Sequence, residues 1–402
     1  MKGNSYSVCL ACGGKLGTVL FEIPDLALVD SFCKTEEEAK RVEKYSVIIR
    51  QCKSCNTIQI ADPPDTSQIY KNYIYDSSSS PDLNTHFKEL SEKINSLSKP
   101  KSTNILEIGA NDGILLKYLS SKNYLGLTAI DPSPQTGNID IAGVEILNDF
   151  FGKELVDQKL NGRSFDIIVA NNCLSHIPNM KEKLELIKSL LKAKGTLIVE
   201  VQSTLDLLEN CIFDYIYHEH YFYHSCTSFA KLARMAGLIL YKVEKLSTKG
   251  GSYRFYISKD SKIEIESSVD YWRYREDLVK IHEPESWAHI NSYLVQIRKK
   301  VDELVMSESS RLVGYGASAT GTVLSRYLGI DRKLDFIVDD NPKRQNLYAP
   351  DTGVPIKDRK EIKCDDTVIV LAWRHFHYFQ KSLIETGAKV IRPLPYLQTY
   401  EK

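Results

Sequence analysis

Asn104-Ile-Leu-Glu-Ile-Gly-Ala-Asn-Asp-Gly113 decides how this chain folds. Ile105 to Ile108 reads as a buried strand running into a loop with glycines at 109 and 113, and Ile114-Leu-Leu-Lys-Tyr-Leu119 opens a helix directly after it. Glycine lets a backbone approach a ligand closely and adopt positive φ. A helix start offers N–H groups with no partner inside the helix. Glu107 sits at the strand end, and Asp131 follows Gly109 by 22 residues, at the close of a second apolar run over 124–130. An acid at that spacing suits the hydroxyls of a ribose. A glycine pair alone also fits an ordinary tight turn. Glu107, Gly109, Asn111, Gly113 and Asp131 together point to a loop for an adenosine-containing cofactor.

Working outward, strand-like runs at 105–108, 125–130, 144–147, 166–170 and 196–201 alternate with helical stretches such as 180–192. This is the pattern of a doubly wound α/β sheet, whose ligands bind at the C-terminal ends of the strands. The residues expected there include Asn171 and Asn172, with His176 closing the loop after them. Asn148 and Asp149 follow the strand at 144–147 and are candidates for an adenine edge.

Ahead of this domain stand Cys9-Leu-Ala-Cys12 and Cys52-Lys-Ser-Cys55. Each Cys-x-x-Cys can form a turn that aims two thiolates at one ion, and four thiolates complete tetrahedral Zn²⁺ with no open position. Cys9, Cys12, Cys52 and Cys55 are therefore expected to hold a structural zinc in an N-terminal ribbon. A redox dithiol is the rival, yet one pair would suffice for it. The polar, tyrosine-bearing stretch 70–81 reads as a loop joining this ribbon to the next domain.

With 402 residues the chain is long enough for two or three domains, and its 43% hydrophobic content suits sizeable cores. Fifty-two basic and 52 acidic residues balance, so no overall field favours nucleic acid or an anionic membrane. No apolar run reaches the ~18 residues of a membrane span, and the N-terminus lacks a signal-like segment. A cytoplasmic location is expected, without nucleic-acid or membrane partners.

A second cluster is Phe213-Asp-Tyr-Ile-Tyr-His-Glu-His-Tyr-Phe-Tyr-His224. Three histidines, Glu219 and several tyrosines within a dozen residues admit three readings: a metal site, a base relay, or an aromatic core with satisfied histidines. The spacing does not match a His-Glu-x-x-His zinc helix.

Further on, Thr248-Lys-Gly-Gly-Ser252 reads as a glycine turn into a strand, with Arg254 on that strand or at the surface. The charged segment 268–308 carries a helical apolar stripe and should form one or two helices, broken near Pro284. Leu312-Val-Gly-Tyr-Gly-Ala-Ser-Ala-Thr-Gly321 is a second strand, glycine loop and helix, and Phe336-Ile-Val-Asp-Asp340 ends another strand in acids. An NAD site is one reading, and a pyrophosphate at the helix start is another.

The loop at 107–113, the ribose acid and Phe165-Asp-Ile-Ile-Val-Ala-Asn-Asn172 resemble class I S-adenosylmethionine-dependent methyltransferases. Together with the paired Cys-x-x-Cys and Tyr217-His-Glu-His220, nearly the whole chain resembles the C-methyltransferases of nucleotide-linked deoxysugars, including the C-3 enzymes of branched-sugar pathways. The resemblance implies a zinc-binding domain over 1–75, a methyltransferase domain over 76–260, and a helical linker with a Rossmann-like domain over 261–402. It implies S-adenosylmethionine and Zn²⁺ as cofactors, His220 as the base, Tyr217 and Glu219 as its supports, and a further active-site tyrosine at Tyr75, with Tyr73 as the alternate. It also assigns the nucleotide sugar to the C-terminal domain. The expected substrate contacts are Asn172, His176, Lys249, Arg254, Gly316, Ser318, Asp339, Asn341, Arg374 and His375.

The activity so implied is C-methylation, at C-3, of a dTDP- or GDP-linked 4-keto-6-deoxysugar, by a monomer or small homo-oligomer. The 4-keto group acidifies the neighbouring C–H, His220 removes the proton, and the enediolate carbon takes the methyl group. An NAD-dependent epimerase or dehydrogenase, an O-methyltransferase and a nucleic-acid-binding zinc ribbon are the alternatives.

Overall fold

A computed structural model describes residues 8–65, 77–79, 81–306 and 310–401. Tyr73 and Tyr75 lie outside the described residues. Three sheets succeed one another along the chain.

The first sheet has the order β1-β2-β3-β9, with β1 at Leu16–Ala27, β2 at Lys44–Cys52, β3 at Ile58–Ile60 and β9 at Phe222–Tyr223. Its last strand comes from the middle of the chain: Ile58 pairs with Tyr223 and Gln59 with Phe222. The segment Tyr217–His220 therefore enters directly against the cysteine-bearing sheet.

The central sheet has the order β10-β11-β8-β7-β4-β5-β6. It comprises β4 (Asn104–Ile108), β5 (Gly126–Ile130), β6 (Val144–Leu147), β7 (Phe165–Asn171), β8 (Leu191–Gln202), β10 (Ile239–Leu246) and β11 (Ser252–Ser258). The first five are parallel, and β11 is inserted antiparallel between β8 and β10. Alternate side chains point to opposite faces of a strand. Leu106, Ile168, Ala170, Leu197 and Val199 accordingly join one core cluster, and Ile105, Ile167, Val169 and Ile198 join a second on the other face. Burial on both faces explains the near-continuous apolar runs that mark these strands in the sequence. The doubly wound reading holds, and the chain is mixed α/β.

The third sheet has the order β14-β13-β12-β15-β16-β17 and spans β12 (Leu312–Tyr315), β13 (Phe336–Val338), β14 (Ile356–Lys357), β15 (Thr367–Val370), β16 (Lys389–Arg392) and β17 (Gln398–Tyr400). It is parallel apart from β17. Helices Ser267–Val279 and Pro284–Met306 lead into it. The break falls at Pro284 as expected, because proline is tolerated in the first turn of a helix and not in its interior. The sequence pattern also places Leu278 in the apolar stripe, yet it is 59% exposed.

The two doubly wound units close their glycine loops in the same way. Asp131 accepts from Asn111 N (3.0 Å) and Ser133 N (2.7 Å). Asp339 accepts from Ala317 N (2.8 Å) and Asn341 N (2.8 Å). No helix among the described residues is long and apolar enough to cross a membrane.

Candidate active site

A cavity of about 390 Å³ lies at the C-terminal ends of β4, β5 and β7. One side is the cofactor loop. Glu107, Gly109, Asn111, Asp131 and Asn171 line it, joined by the aromatic pair Phe150 and Phe151. Gly109 has φ +79, and a Cβ there would stand 2.4 Å from the Cβ of Cys173, so only glycine fits. Glu107 is buried with one carboxylate oxygen unpartnered, and both amide atoms of Asn171 are likewise buried without partners. Burial, followed by the charges of Asp131 and Asp112, holds the Glu107 carboxyl well above the usual range. Orphaned buried polar groups of this kind call for a ligand.

The opposite wall brings together His176, Tyr217, Glu219, His220, Lys249 and Asp30. The His220 ring lies 4.2 Å from the Tyr217 ring and 4.9 Å from that of His176. Its Nδ1 donates to the Tyr215 carbonyl at 2.7 Å. A carbonyl only accepts, so Nδ1 carries the proton and Nε2 keeps its lone pair. Burial pulls the pKa of His220 well below 6.5, and His176 and Lys249 add to the fall. Burial likewise lowers His176 to about 4 and depresses Lys249. Burial raises Glu219 to about 8, with Asp30 contributing, so its carboxyl is protonated at neutral pH.

The expectation that Glu219 orients His220 is therefore replaced by the Tyr215 carbonyl. Of the three histidines in the cluster, only His220 lines the cavity. His218 donates Nε2 to the Tyr45 carbonyl of β2 at 3.0 Å, and His224 is fully buried between Phe222 and Phe229. The cluster is thus divided: His218 and His224 pack in the interior, as an aromatic core would have them, and His220 faces the cavity. Among the described residues, the one group with metal-binding geometry is the cysteine set.

Several expected contacts fall elsewhere. Asn148 spends its amide on the carbonyls of Asp131 and Ser133, both at 2.8 Å, and Asp149 is exposed, so Phe150 and Phe151 reach the cavity instead. Gly113, at φ +74, caps the helix Ile114–Ser121 and faces Ile139. Arg254 is buried, its Nε 2.6 Å from Glu200, whose other oxygen lies 2.6 Å from His86 Nε2. Despite burial, His86 and Arg254 keep the Glu200 carboxyl below its ordinary value. Arg254 is thus a core cation, not a surface group, and it does not line the cavity.

In the C-terminal unit Gly316 is required because a Cβ would stand 2.6 Å from that of Ala372. Ser318 caps the helix Ala319–Leu328, Asn341 accepts from Lys343 N, and Asp339 is occupied by the loop and by Arg344. Arg374 gives Nη1 to both oxygens of buried Asp214, and His375 starts the helix Phe376–Ile384 beside Tyr378. Each has a partner within the protein, and none lines the cavity. Asn172, His176 and Lys249 do line it.

Asp30 had no signature in the sequence, because it reaches the cavity only through docking of the first sheet. Phe150 and Phe151 lay immediately after the singled-out Asn148-Asp149 pair.

The four cysteine sulfurs of the first domain lie within 4.8 Å of one another, with Cys9–Cys55 at 3.8 Å and Cys12–Cys52 at 3.6 Å. A tetrahedron with Zn–S bonds of about 2.3 Å has S···S edges of about 3.8 Å. Backbone N–H groups of Ala11 and Ser54 point at Cys9 and Cys52 sulfurs at 3.3 Å. The donor set and its spacing fit zinc.

Comparison with known proteins bears on both halves of the chain. A family described as methyltransferase domain matches residues 83–243, and one described as C-methyltransferase C-terminal domain matches 247–395. The C-methyltransferase NovU of Streptomyces niveus is 22% identical over 400 residues, covering 96% of this chain and 95% of its own length. Among solved structures, the CcbJ methyltransferase from Streptomyces caelestis is 13% identical, covering 48% of this chain and 96% of its own, with a TM-score of 0.35. The magnesium protoporphyrin IX methyltransferase ChlM from Synechocystis PCC 6803, with bound SAH, is 14% identical over 48% of this chain and 91% of its own, at a TM-score of 0.35.

Proposed function

This chain is a methyltransferase, with a methyltransferase domain followed by a C-methyltransferase C-terminal domain, and on that premise we propose that it methylates carbon C-3 of a nucleotide-linked 4-keto-6-deoxysugar, with S-adenosylmethionine as donor. The observation that carries the reading is His220, half-buried at the cavity wall with Nδ1 committed and Nε2 open, across from the orphaned Glu107 and Asn171.

Glu107 and Asn171 would hold the amino-acid end of the donor. Asp131 would hold its ribose, since a carboxylate retains lone pairs after two backbone bonds. Phe150 and Phe151 offer flat apolar surface to the base. S-adenosylmethionine supplies an electrophilic methyl group on a sulfonium. The protein makes the substrate's acceptor carbon nucleophilic: His220 Nε2 takes the proton from the C–H beside the ketone, and the methyl group passes to that carbon as the sulfonium becomes a thioether. Protonated Glu219 and the Lys249 ammonium stand in the same wall to bond the oxygen on which charge develops. Tyr217 packs against the imidazole and limits water. The implied role of Tyr75 belongs to the same proposal. A zinc held by Cys9, Cys12, Cys52 and Cys55 would be structural, since four thiolates fill its coordination.

The test is His220→Asn. Turnover of dTDP- and GDP-linked 4-keto-6-deoxyhexoses should fall by about 10²–10⁴-fold, and so should exchange of the C–H proton into deuterated solvent. Binding of S-adenosylhomocysteine should stay unchanged. Full turnover by the variant overturns the base, and methylation at oxygen overturns the reaction class.

A further inference from the structure

Building on the reading of His220 as base, we propose that Arg374, from the C-terminal domain, is a positioning residue for that base, acting through Asp214 and Tyr215. The short helical turn Phe213–Tyr215 supplies the carbonyl that accepts His220 Nδ1–H. Asp214 in this turn is fully buried. Its oxygens receive Arg374 Nη1 at 2.6 and 2.7 Å and Trp373 Nε1 at 2.9 Å. The Arg374 guanidinium also lies 4.5 Å from the centre of the Tyr215 ring. One side chain thus grips the turn by its carboxylate and by its aromatic face.

Across the turn, the Tyr215 and His220 rings lie 6.0 Å apart and 12° from parallel. Arg374, Tyr215 and His220 therefore form a continuous series from the third sheet to the cavity wall. Arg374 also packs beside the Lys249 loop: a Cβ on Gly250 would lie 3.4 Å from Arg374 Cδ.

The tautomer follows from this arrangement. An imidazole whose Nδ1 is held by a fixed carbonyl presents Nε2 as its basic atom. If the turn shifts, the Nδ1–H bond loosens, the ring rotates, and the two tautomers mix. Arg374 sets the position of the carbonyl without touching the reacting atoms. The sequence reading placed Arg374 among the substrate contacts, and the two roles predict different kinetics.

The experiment uses the full chain with Arg374→Met, Arg374→Lys and Trp373→Phe. The last removes one N–H from Asp214 while keeping an aromatic ring, and it serves with Arg374→Lys should Arg374→Met fail to fold. In protein carrying ¹⁵N-histidine, the His220 Nδ1–H signal, assigned by its loss in His220→Asn, should vanish or broaden in Arg374→Met. Turnover and C–H exchange with dTDP- and GDP-linked 4-keto-6-deoxyhexoses should fall about 100-fold, the scale of an ångström's misplacement. KM for these probes and the Kd of S-adenosylhomocysteine should stay within about twofold. Arg374→Lys should recover part of the loss, and Trp373→Phe should show a smaller one. An unchanged Nδ1–H signal in folded variants, or a raised KM at unchanged kcat, overturns the proposal. Should wild-type protein exchange no C–H proton while Arg374→Met still alters the His220 signal, the base reading fails and the positioning role stands.

Discussion

His220 and Glu219 are neighbours in sequence with opposite protonation needs. Burial lowers the imidazole well below 6.5, so it is neutral at pH 7, and the proposed base would be lost only as pH falls through that lowered value. Burial raises the Glu219 carboxyl to about 8, so it is a hydrogen-bond donor at pH 7 and ceases to be one as pH rises through about 8. A pH profile of kcat/KM should be bell-shaped, with its alkaline limb near pH 8. Glu219→Gln, a donor that does not ionise, should flatten that limb while keeping activity within about tenfold; a limb unmoved in the variant would assign it to another group. The reassigned Arg254 has a different signature. Arg254→Met leaves Glu200 buried beside a single partner, which should cost about 3–5 kcal/mol in denaturant unfolding, with the Kd of S-adenosylhomocysteine unchanged. Residues legible in the sequence, Glu107, Asp131, Asn171 and His220, sit in local patterns where spacing implies geometry. Asp30 and the Tyr215 carbonyl were not legible: one reaches the cavity across a domain contact, and the other acts through a backbone atom that any residue would carry.

Strands and glycine loops were the most readable elements, because burial on both faces writes continuous apolar runs into the sequence. The two-residue β9 was not readable. Phe222-Tyr223 has no periodicity of its own and is a strand only because Ile58–Ile60 offers an edge. The second glycine loop is readable as a backbone shape. Its pattern matches a ligand loop, yet Gly316, Ser318 and Asp339 hold the turn, the cap and the loop closure. A fingerprint reports a backbone shape before it reports a ligand. The first sheet carries the cysteine knuckle of β2 and, two strands away, the strand that follows His220. The cysteine set and the His220 segment are thus joined through hydrogen-bonded strands, and the proposed zinc and base would be coupled through them. Purified protein should contain one zinc per chain by elemental analysis. Chelation or Cys55→Ser should abolish turnover and expose the 215–223 segment to limited proteolysis. Metal-free protein with full turnover would separate the ribbon from the active site.

The divisions at 75/76 and 260/261 describe the order of the chain better than its packing. Cys33 and Tyr348 exchange backbone hydrogen bonds between the first and third domains at 2.9 and 3.1 Å, and Arg344 reaches Asp30 at 3.6 Å. At the centre, Phe21 of β1, Phe213 beside Asp214, and Tyr327 of the helix Ala319–Leu328 form an aromatic triad. Ring centres lie 6.0 Å apart for Phe21–Phe213, 5.9 Å for Phe21–Tyr327 and 4.6 Å for Phe213–Tyr327. Each ring comes from a different domain, and one core cluster runs from Cys9 to Leu394. Weakly docked domains would melt separately, whereas domains sharing such a core should melt together. Calorimetry should therefore give one transition. Phe21→Ala should destabilise the whole chain by about 3–5 kcal/mol. A double-mutant cycle with Tyr327→Ala should return a coupling of about 0.5–1.5 kcal/mol. Because Phe213 precedes the Asp214 turn, the same substitution should also lower kcat while leaving the Kd of S-adenosylhomocysteine unchanged. Two resolved transitions, or a Phe21→Ala effect confined to the first of them, would mean that the base is held by its own domain alone.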